Sequence, residues 1–272
     1  MKEATSEALL RALRAGDCER VLELLDAEPE LASTRLPGDI HADCLPGSGL
    51  PHYAVHANEG EFLRALLRRG APLDLRNAEG RTALHDAIEF GSRLADELIE
   101  AGAEVDVCAA AILGRHERLS ELLARDPACA NDASTRLSPL GWAAFGNQAH
   151  SARLLLDAGA RMDDDELLCA ASVGHVEVGR FLIERGADPE RLGAQSGGNA
   201  LHVAAQHRYT CSTRAFAAML LELGCDPHLP DRRGRTALEL ARAGDARQAR
   251  EGADGFERDF AGFVQFLEER AS

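Results

Sequence analysis

Long apolar runs are absent from this sequence. No stretch approaches the roughly 20 consecutive apolar residues that a membrane-spanning helix needs, and the charged residues that follow Met1 do not form the apolar core of a signal peptide. Disulfide patterns are also missing, because the seven cysteines are odd in number and no two lie close together in the chain. These absences predict a cytoplasmic protein whose thiols pack as small hydrophobes.

Sequence motifs of catalysis are missing as well. The chain has no Gly-x-Ser-x-Gly, His-Glu-x-x-His or Cys-x-x-Cys. A glycine-rich stretch at 193–198 lacks the Lys-Ser/Thr end of a phosphate-binding loop. We therefore predict a protein that is not an enzyme and that needs no cofactor, although catalytic groups that meet only in the folded chain escape this search.

Candidate metal ligands occur, but their spacing matches no metal-binding pattern. His52 and His56 are four residues apart and could share one helix face, yet two ligands do not complete a site. His41, Asp43 and Cys44 offer suitable ligand types at a spacing that is typical of no zinc motif. We predict no metal site.

The sequence has fewer basic than acidic residues. The chain has 45 acidic and 30 basic side chains and a formal net charge of −15. Such a surface repels nucleic acid and anionic membranes, and it would steer a basic protein partner. Solubility explains the charge equally well. The prediction is a protein partner, with neither nucleic acid nor a membrane involved.

The stretch 80–91 organises the chain, because it reads as a tight turn, a short helix and a glycine stop. Thr82 is a suitable N-cap, since its hydroxyl can accept a backbone N–H that the first turn leaves unpaired. Gly91 can adopt the left-handed conformation that ends a helix. A second apolar helix follows at 94–100. The apolar positions of the first helix recur at helical spacing, at Leu84, Ala87 and Ile88.

The same pattern returns along the chain. Further copies of the turn motif lie at 49–55, 138–144, 199–205 and 236–241, and shorter copies without the turn lie at 107–111 and 167–171. The pattern resembles the T-P-L-H-x-A-A…G-A signature of the ankyrin repeat, in the style of bacterial proteins of that family. The resemblance implies an all-α repeat solenoid, in which helix–turn–helix units with β-hairpin fingers form a stack.

A single solenoid over 1–272 is expected, because each repeat contacts only its neighbours. The motif leucines should be buried between repeats, and a stretch rich in Gly, Asp and Arg at 244–255 should interrupt the last repeat. The predicted parts are an N-terminal helix-pair cap at 1–31, a long projecting finger at 32–48, central repeats at 49–235, and the interrupted last repeat with a C-terminal cap at 236–272. The motif leucines are Leu84, Leu140, Leu201 and Leu238.

The resemblance also implies structural roles for individual residues. In ankyrin repeats the motif histidine bonds neighbouring backbone and holds the turn, and the residue that opens the motif begins the helix. The positions that match these roles are His52, Thr82, His85, Ser138, His202 and Thr236.

A binding surface is implied in the same way. In ankyrin repeats the residue after the motif histidine, and those three and four later, face a concave groove. Because Trp and Tyr are enriched at binding hot spots, Trp142 is expected near the centre of a solvent-facing apolar strip. The alternative is that the long finger or other side chains cover this strip. The predicted partner-binding residues are Tyr53, His56, Asp86, Glu89, Phe90, Ile112, Leu113, Trp142, Phe145, Gln206, His207 and Tyr209.

The resemblance thus predicts a monomeric, non-catalytic protein-binding scaffold. Its partner, for which a basic surface suits the net charge, would dock in the groove formed by the first helices and the hairpin fingers. Two alternatives remain open. One is an acidic inhibitor of the immunity or antitoxin type that masks a basic toxin, and the other is an enzyme or small-ligand binder that uses the groove.

Overall fold

The computed structural model describes residues 2–41, 44–163, 165–206, 210–251 and 260–270. The chain divides into two compact units. Unit 1 comprises Met1–Ala109 and Ala133–Arg136, and unit 2 comprises Ala110–Asp132 and Leu137–Ser272. Over the described ranges the chain folds into sixteen α-helices and two 3-10 turns, without a β-strand. None of these helices combines the length and the apolar character needed to cross a lipid bilayer.

Unit 1 is built from consecutive helix pairs whose members contact each other, and α3 also packs on α5. Amphipathic sequence explains the pairing: in α4, buried Phe62, Leu63 and Leu66 lie on one face, while Glu61 and Arg68 lie outside it. The helix α7 (Val107–Ile112) crosses the boundary between the units. The complete helices of unit 1 are α1 (Lys2–Arg14), α2 (Cys18–Ala27), α3 (Leu50–His56), α4 (Gly60–Arg68), α5 (Ala83–Glu89) and α6 (Leu94–Glu100).

Unit 2 continues the pattern around a core that includes Trp142, Phe216 and Phe263, which are among the largest fully buried side chains. Close approach of α12 to α14 requires Gly179, because a Cβ atom there would lie 2.3 Å from the Phe216 ring. The helices of unit 2 are α8 (His116–Arg125), α9 (Pro139–Phe145), α10 (Ala149–Asp157), α11 (Asp165–Val173), α12 (Val176–Glu184), α13 (Ala200–Gln206), α14 (Thr210–Glu222), α15 (Ala237–Glu251) and α16 (Phe260–Arg270).

The loops that precede α5 and α15 have the same turn. In unit 1 the N–H of Asn77 donates to the carbonyl of Arg81 at 2.9 Å, and the N–H of Ala78 donates to the preceding loop at Pro46 O, 2.8 Å away. In unit 2 Asp231 donates to Arg235 O at 2.8 Å. Both finger loops are thus tight turns, and the described residues do not form the β-hairpin ladder that the sequence led us to expect.

Gly80 shows how closely a finger loop is packed in unit 1. Its φ of +73° lies in the left-handed region, where glycine is favoured. A Cβ atom at this position would lie only 1.6 Å from the carbonyl oxygen of Ser134, so that the 133–136 segment leaves no space for a side chain.

The long loop between α2 and α3 folds onto unit 1 instead of projecting from it. It begins with a 3-10 turn at Pro29–Ser33. Further along, Leu36, Ile40 and Cys44 are buried in the apolar core. Asp39 accepts a hydrogen bond from Arg14 at 2.9 Å. Apolar residues at intervals of four explain why the loop closes down on the helices, and the expectation of a projecting finger at 32–48 is not met by these residues.

The C-terminal part differs from expectation at one point. The helix α15 continues through Gly244 to Glu251, because the residues that follow Gly244 are mostly good helix formers. Residues 252–259 of the expected interruption lie outside the described part. In α16, Phe263 and Leu267 are each 1% exposed.

Three of the four motif leucines, Leu84, Leu140 and Leu201, are at most 1% exposed, whereas Leu238 is only partly buried. Replacement of Leu84 by alanine should therefore destabilise the protein by about 3 kcal/mol through lost burial and the cavity left behind. Leu238→Ala should cost clearly less, because its side chain has less burial to lose. Urea unfolding followed by circular dichroism measures both. Equal losses at the two sites would contradict this account.

Candidate protein-binding site

The motif histidines of two repeats clamp a helix start to the next loop. His52 Nδ1 accepts the N–H of Gly49 at 3.0 Å, so Nε2 carries the hydrogen and donates to the carbonyl of Arg81 at 3.0 Å. His202 donates in the same way to Arg235 O at 3.0 Å in unit 2. Burial lowers the pKa of both histidines, which favours their neutral form.

His85 differs because the repeat that follows it has no finger loop. Its Nδ1 accepts the N–H of Thr82 at 3.2 Å, and its Nε2 lies 3.2 Å from Asp106 Oδ1. Asp106 also accepts the N–H of Ala109 and a guanidinium N–H of Arg76, both at 3.0 Å. The Asp106 carboxylate thus takes the place that a loop carbonyl has in the other two histidine clamps.

Unit 2 contains a second carboxylate of this kind. Ser138 caps α9 by accepting the N–H of Gly141 at 3.0 Å, and its hydroxyl donates to Glu166 at 2.9 Å. Glu166 is 3% exposed, and burial raises its pKa. Thr236 opens the last repeat through a reciprocal capping box, in which its N–H donates to the Glu239 carboxylate at 2.8 Å.

Acidic pH should lower the stability of unit 1, because it protonates the Asp106 carboxylate. Burial by itself raises the pKa of this carboxyl, but the hydrogen bonds from His85, Ala109 and Arg76 outweigh it and lower the pKa to about 2, from an ordinary value of 3.8. The unfolded chain therefore binds this proton more readily. The resulting stabilisation, about 2 kcal/mol, is fully present above pH ~4 and is lost as the pH falls through ~2.

The variant Asp106→Asn isolates this contribution. It should be less stable than the wild type by about 2 kcal/mol at pH 7, and the difference should shrink towards zero between pH ~4 and ~2. Urea unfolding at a series of pH values measures it. A difference that stays constant down to pH ~2 would show that the charge of Asp106 is not what stabilises the clamp.

The same residues form the one described group that could hold a metal ion. One ligand atom each of His85, Asp106 and Cys108 lies within 4.8 Å of the others. Each of these atoms already has a protein partner, since Cys108 Sγ lies 3.6 Å from Thr135 Oγ1 and Asp106 binds Arg76 and His85. The candidate ligands predicted from the sequence were different ones, namely His52 with His56, and His41 with Asp43 and Cys44. Of these, Asp43 lies outside the described residues.

Chelation is therefore expected to leave the protein unchanged. Treatment with EDTA should not alter the melting temperature measured by calorimetry, because the ligand atoms in this cluster satisfy one another without an ion. A fall of several degrees that disappears in a Cys108→Ala variant would contradict this and would assign a metal to the cluster.

A buried ionic network lies beside the clamp of His52. His56 Nε2 is 2.9 Å from Asp86 Oδ2, and the two side chains are 1% and 0% exposed. Arg81 Nε lies 3.2 Å from Asp86 Oδ1, an ionic contact whose geometry does not make a hydrogen bond. Arg81 also bonds Glu89 and lies 3.3 Å from Glu79. Three carboxylates thus surround one guanidinium that is 12% exposed.

An open cleft of about 730 Å³ adjoins this network within unit 1. It lies between the helix pairs α3/α4 and α5/α6. His56 and Phe90 line it on the side of the network, and Arg64, Arg93 and Glu97 contribute its charged wall. The Phe90 ring is 56% exposed and stands edge-on to the His56 ring, with 5.3 Å between the centroids. The cleft therefore combines an exposed aromatic ring with charged groups held from behind.

Four predicted binding residues do not face solvent. Asp86 is held in the ionic network, and Tyr53, Ile112 and Trp142 are 4%, 7% and 1% exposed. The Tyr53 hydroxyl donates to Leu13 O at 3.0 Å, and the His41 ring of the long loop covers its edge at 6.0 Å. The expectation of a solvent-facing strip is wrong for these positions, because neighbouring side chains and the long loop cover them.

Five of the remaining predicted residues are more accessible. Phe90 and Gln206 are exposed, and Glu89, Leu113 and Phe145 are partly buried. The His56 side chain is buried, yet it forms part of the cleft wall. His207 and Tyr209 lie outside the described residues.

Sequence reasoning missed part of this site. Arg81 was read only as part of the turn motif, although its guanidinium organises the network. Arg64 and Glu97 were not singled out, although their side chains pair at 2.7 Å in the cleft wall. The sequence does place opposite charges, Arg64 and Glu97, at matching positions in the second helices of consecutive repeats. However, 33 residues separate these two side chains in the chain.

Comparison with known proteins identifies the repeats. Residues 9–108 match the family model of ankyrin repeats, in three copies. This chain contains ankyrin repeats. Ankyrin repeats are generally protein-interaction scaffolds and are typically non-catalytic. The match covers the cleft and the ionic network, so both are features of an ankyrin-repeat segment.

Relatives are similar to this chain over short segments. The chain is 35% identical over 89 residues to a probable E3 ubiquitin-protein ligase XBOS32 of Oryza sativa subsp. japonica, covering 32% of this chain and 16% of the relative. It is 38% identical over 65 residues to the ADP-ribosylation factor GTPase-activating protein AGD4 of Arabidopsis thaliana, covering 24% and 8%. With human neurogenic locus notch homolog protein 4 it shares 36% identity over 95 residues, covering 30% and 4%. The matched segments are thus a small part of each relative.

Proposed function

We propose that this chain is a non-catalytic protein-binding scaffold, and that a partner docks on unit 1 at the cleft lined by the ends of the first helices α3 and α5 and by the second helices α4 and α6. The observation that carries the proposal is the exposure of Phe90 at the cleft. It is 56% exposed, and only one other large hydrophobic among the described residues, Leu223, is comparably exposed. An exposed aromatic ring beside a preformed cleft is the kind of anchor on which protein interfaces depend.

The electrostatics of the site favour a basic partner. The formal net charge of −15 draws basic proteins towards the chain. Locally, Glu89 lies beside Phe90 with a partly exposed side chain, and Glu79 contributes a second partly exposed carboxylate. Their geometry is fixed by Arg81, so that little ordering is needed when a partner binds.

A comparison of two surface variants tests the proposal. Phe90→Ala and Leu223→Ala each remove one exposed large hydrophobic, and both should fold as the wild type does. Proteins captured from the native extract by the wild type and by Leu223→Ala, but lost with Phe90→Ala, are candidate partners. The candidate is then produced in pure form for calorimetric titration.

We expect Phe90→Ala to weaken the purified complex by about 2 kcal/mol, because aromatic anchors dominate interface energies. Leu223→Ala should leave its affinity unchanged. If every captured protein binds Phe90→Ala as tightly as it binds the wild type, the partner does not dock at this cleft.

A further inference from the structure

The arginine side chains of unit 1 are almost all paired with oxygen atoms of the protein. Arg11, for example, lies 3.8 Å from Glu7. Of the arginines that the structure describes in this unit, only Arg68 and Arg93 lack a carboxylate or carbonyl partner among the described residues. Both are exposed, but Arg93 alone lines the cleft. Its guanidinium is therefore available to a group that enters the cleft from outside.

The polar groups that the cleft exposes are mainly hydrogen-bond donors. The guanidinium groups of Arg64 and Arg93 present only N–H groups, and the Arg64 side chain is 42% exposed. The Ser92 hydroxyl accepts the N–H of Leu94 at 3.2 Å, so its own hydrogen can be donated to another group. An occupant of the cleft therefore meets donors along this wall.

Acceptors in the same wall are in use or covered. Glu97 Oε1 accepts a hydrogen bond from Arg64 at 2.7 Å, and both Glu97 Oε2 and His56 Nδ1 are buried. Asn58 lines the cleft with an exposed side-chain amide, which offers one acceptor together with two donor hydrogens. The wall is therefore complementary to a group that brings acceptors.

The charge of the lining favours the same kind of group. Arg64 and Glu97 pair at 2.7 Å and offset each other. Glu61 also bonds Arg64, but it does not line the cleft, and its side chain is 87% exposed. Arg93 is thus the one cation of the lining that no described residue balances. A carboxylate matches it, because it carries a single negative charge and its two oxygens fit the guanidinium fork.

We propose that the cleft of unit 1 binds a segment of the partner protein in which an aspartate or glutamate stands beside an apolar side chain. The carboxylate pairs with Arg93, and the apolar side chain packs on Phe90, whose ring is 56% exposed in the same cleft. Arg93 selects the segment and its direction, because exposed ion pairs contribute more to specificity than to affinity. This inference rests on the proposed docking at the cleft and names the segment that occupies it.

A carboxylate in the cleft is compatible with a partner that is basic as a whole. The net charge of −15 acts over a distance on the total charge of the partner, whereas Arg93 acts on one group in contact. Glu89 neighbours Phe90 in the chain but does not line the cleft. The basic surface of the partner and its one carboxylate therefore have separate contacts.

The test begins with short peptides of random sequence, displayed on phage and selected on the immobilised full chain. Salt at about 150 mM screens the attraction of the acidic surface for basic peptides. Peptides that also bind Phe90→Ala are removed, so that those retained depend on the cleft. We expect the retained peptides to be enriched in Asp or Glu beside an apolar residue. Selection on Arg93→Glu should enrich Lys or Arg instead, and selection on Arg68→Glu should give the wild-type result.

A double-mutant cycle then measures the contact itself. One enriched peptide is synthesised with its acidic residue and with the corresponding amide, and both forms are titrated into the wild type, Arg93→Gln and Arg68→Gln by calorimetry. Arg93→Gln should weaken the acidic peptide about three- to fivefold, in the upper range for exposed ion pairs, and should bind the amide peptide as the wild type does. Arg68→Gln should change neither affinity.

Three results would each overturn the carboxylate assignment: no peptide that depends on Phe90, no enrichment of acidic residues among such peptides, or equal effects of Arg93→Gln on the two synthetic forms. The purified partner separates this failure from that of the docking proposal. If Phe90→Ala loses the partner while Arg93→Gln binds it as tightly as the wild type does, docking at the cleft stands and only the carboxylate contact fails.

Discussion

Replacement of Trp142 by alanine is expected to destabilise the protein by about 3–5 kcal/mol, as large-to-small substitutions of buried aromatic residues do. Its side chain is 1% exposed, and its ring lies 6.5 Å from that of Phe145 in an edge-on arrangement. Every residue of α9 from Pro139 to Ala144 is buried, so the helix offers no free face into which the cavity could collapse.

The measurement must avoid fluorescence, because Trp142 is the only tryptophan of the chain. Urea unfolding followed by circular dichroism is suitable, with Trp142→Phe as the matched control that keeps an aromatic ring. The control should cost clearly less than the alanine variant. A loss of stability below about 1 kcal/mol in Trp142→Ala would mean that the side chain is not in the core. Trp142 would then again be a candidate for contact with a binding partner.

Local features of the fold could be predicted from the sequence. The helix that begins after Thr82 and the turn of Gly91 follow from residues that lie within one repeat, where capping and glycine conformation decide the outcome. The helix α2, at Cys18–Ala27, likewise has its buried residues at helical spacing within one element. Such signals need no knowledge of what packs on the helix.

The direction in which a side chain faces could not be predicted from one repeat. Tyr53 and Trp142 occupy the same motif position, and both are buried. The Tyr53 ring lies edge-on to the ring of His41, which belongs to a loop whose path the repeat pattern does not specify. The burial of Tyr53 therefore depends on a segment outside the repeat pattern, and one sequence does not show where that segment folds.

The ionic network was hidden for a related reason. His56 and Asp86 are 30 residues apart, and each looked like a polar border residue when read within its own helix. Their contact depends on the stacking of α3 on α5, which sets one helix's last turn against the middle of the next. Arg81 joins them from a loop. The candidate site is therefore a product of stacking, and periodicity alone does not reveal it.

Removal of the Arg81 guanidinium should be as damaging as the loss of Trp142. Arg81→Met keeps much of the side-chain volume but leaves Asp86 buried beside Glu89 and Glu79 without a cation between them. Removing one partner of a buried ion pair lowers the free energy of unfolding by about 3–5 kcal/mol, because the remaining charge is uncompensated. Arg81 is 12% exposed and Asp86 0%, so solvent can do little to replace the lost contact.

A surface pair of the same residue types provides the control. Arg69 bonds Asp26 at 2.7 Å, but Asp26 is 63% exposed, and Arg69→Met should cost less than about 1 kcal/mol. Adding Asp86→Asn to Arg81→Met should recover part of the loss, because it removes the uncompensated charge; urea unfolding of the four variants of this double-mutant cycle measures the coupling. If Arg81→Met costs no more than Arg69→Met, or if Asp86→Asn recovers nothing, the guanidinium does not hold the network. Interactions other than those of Arg81 would then have to hold the wall of the cleft rigid.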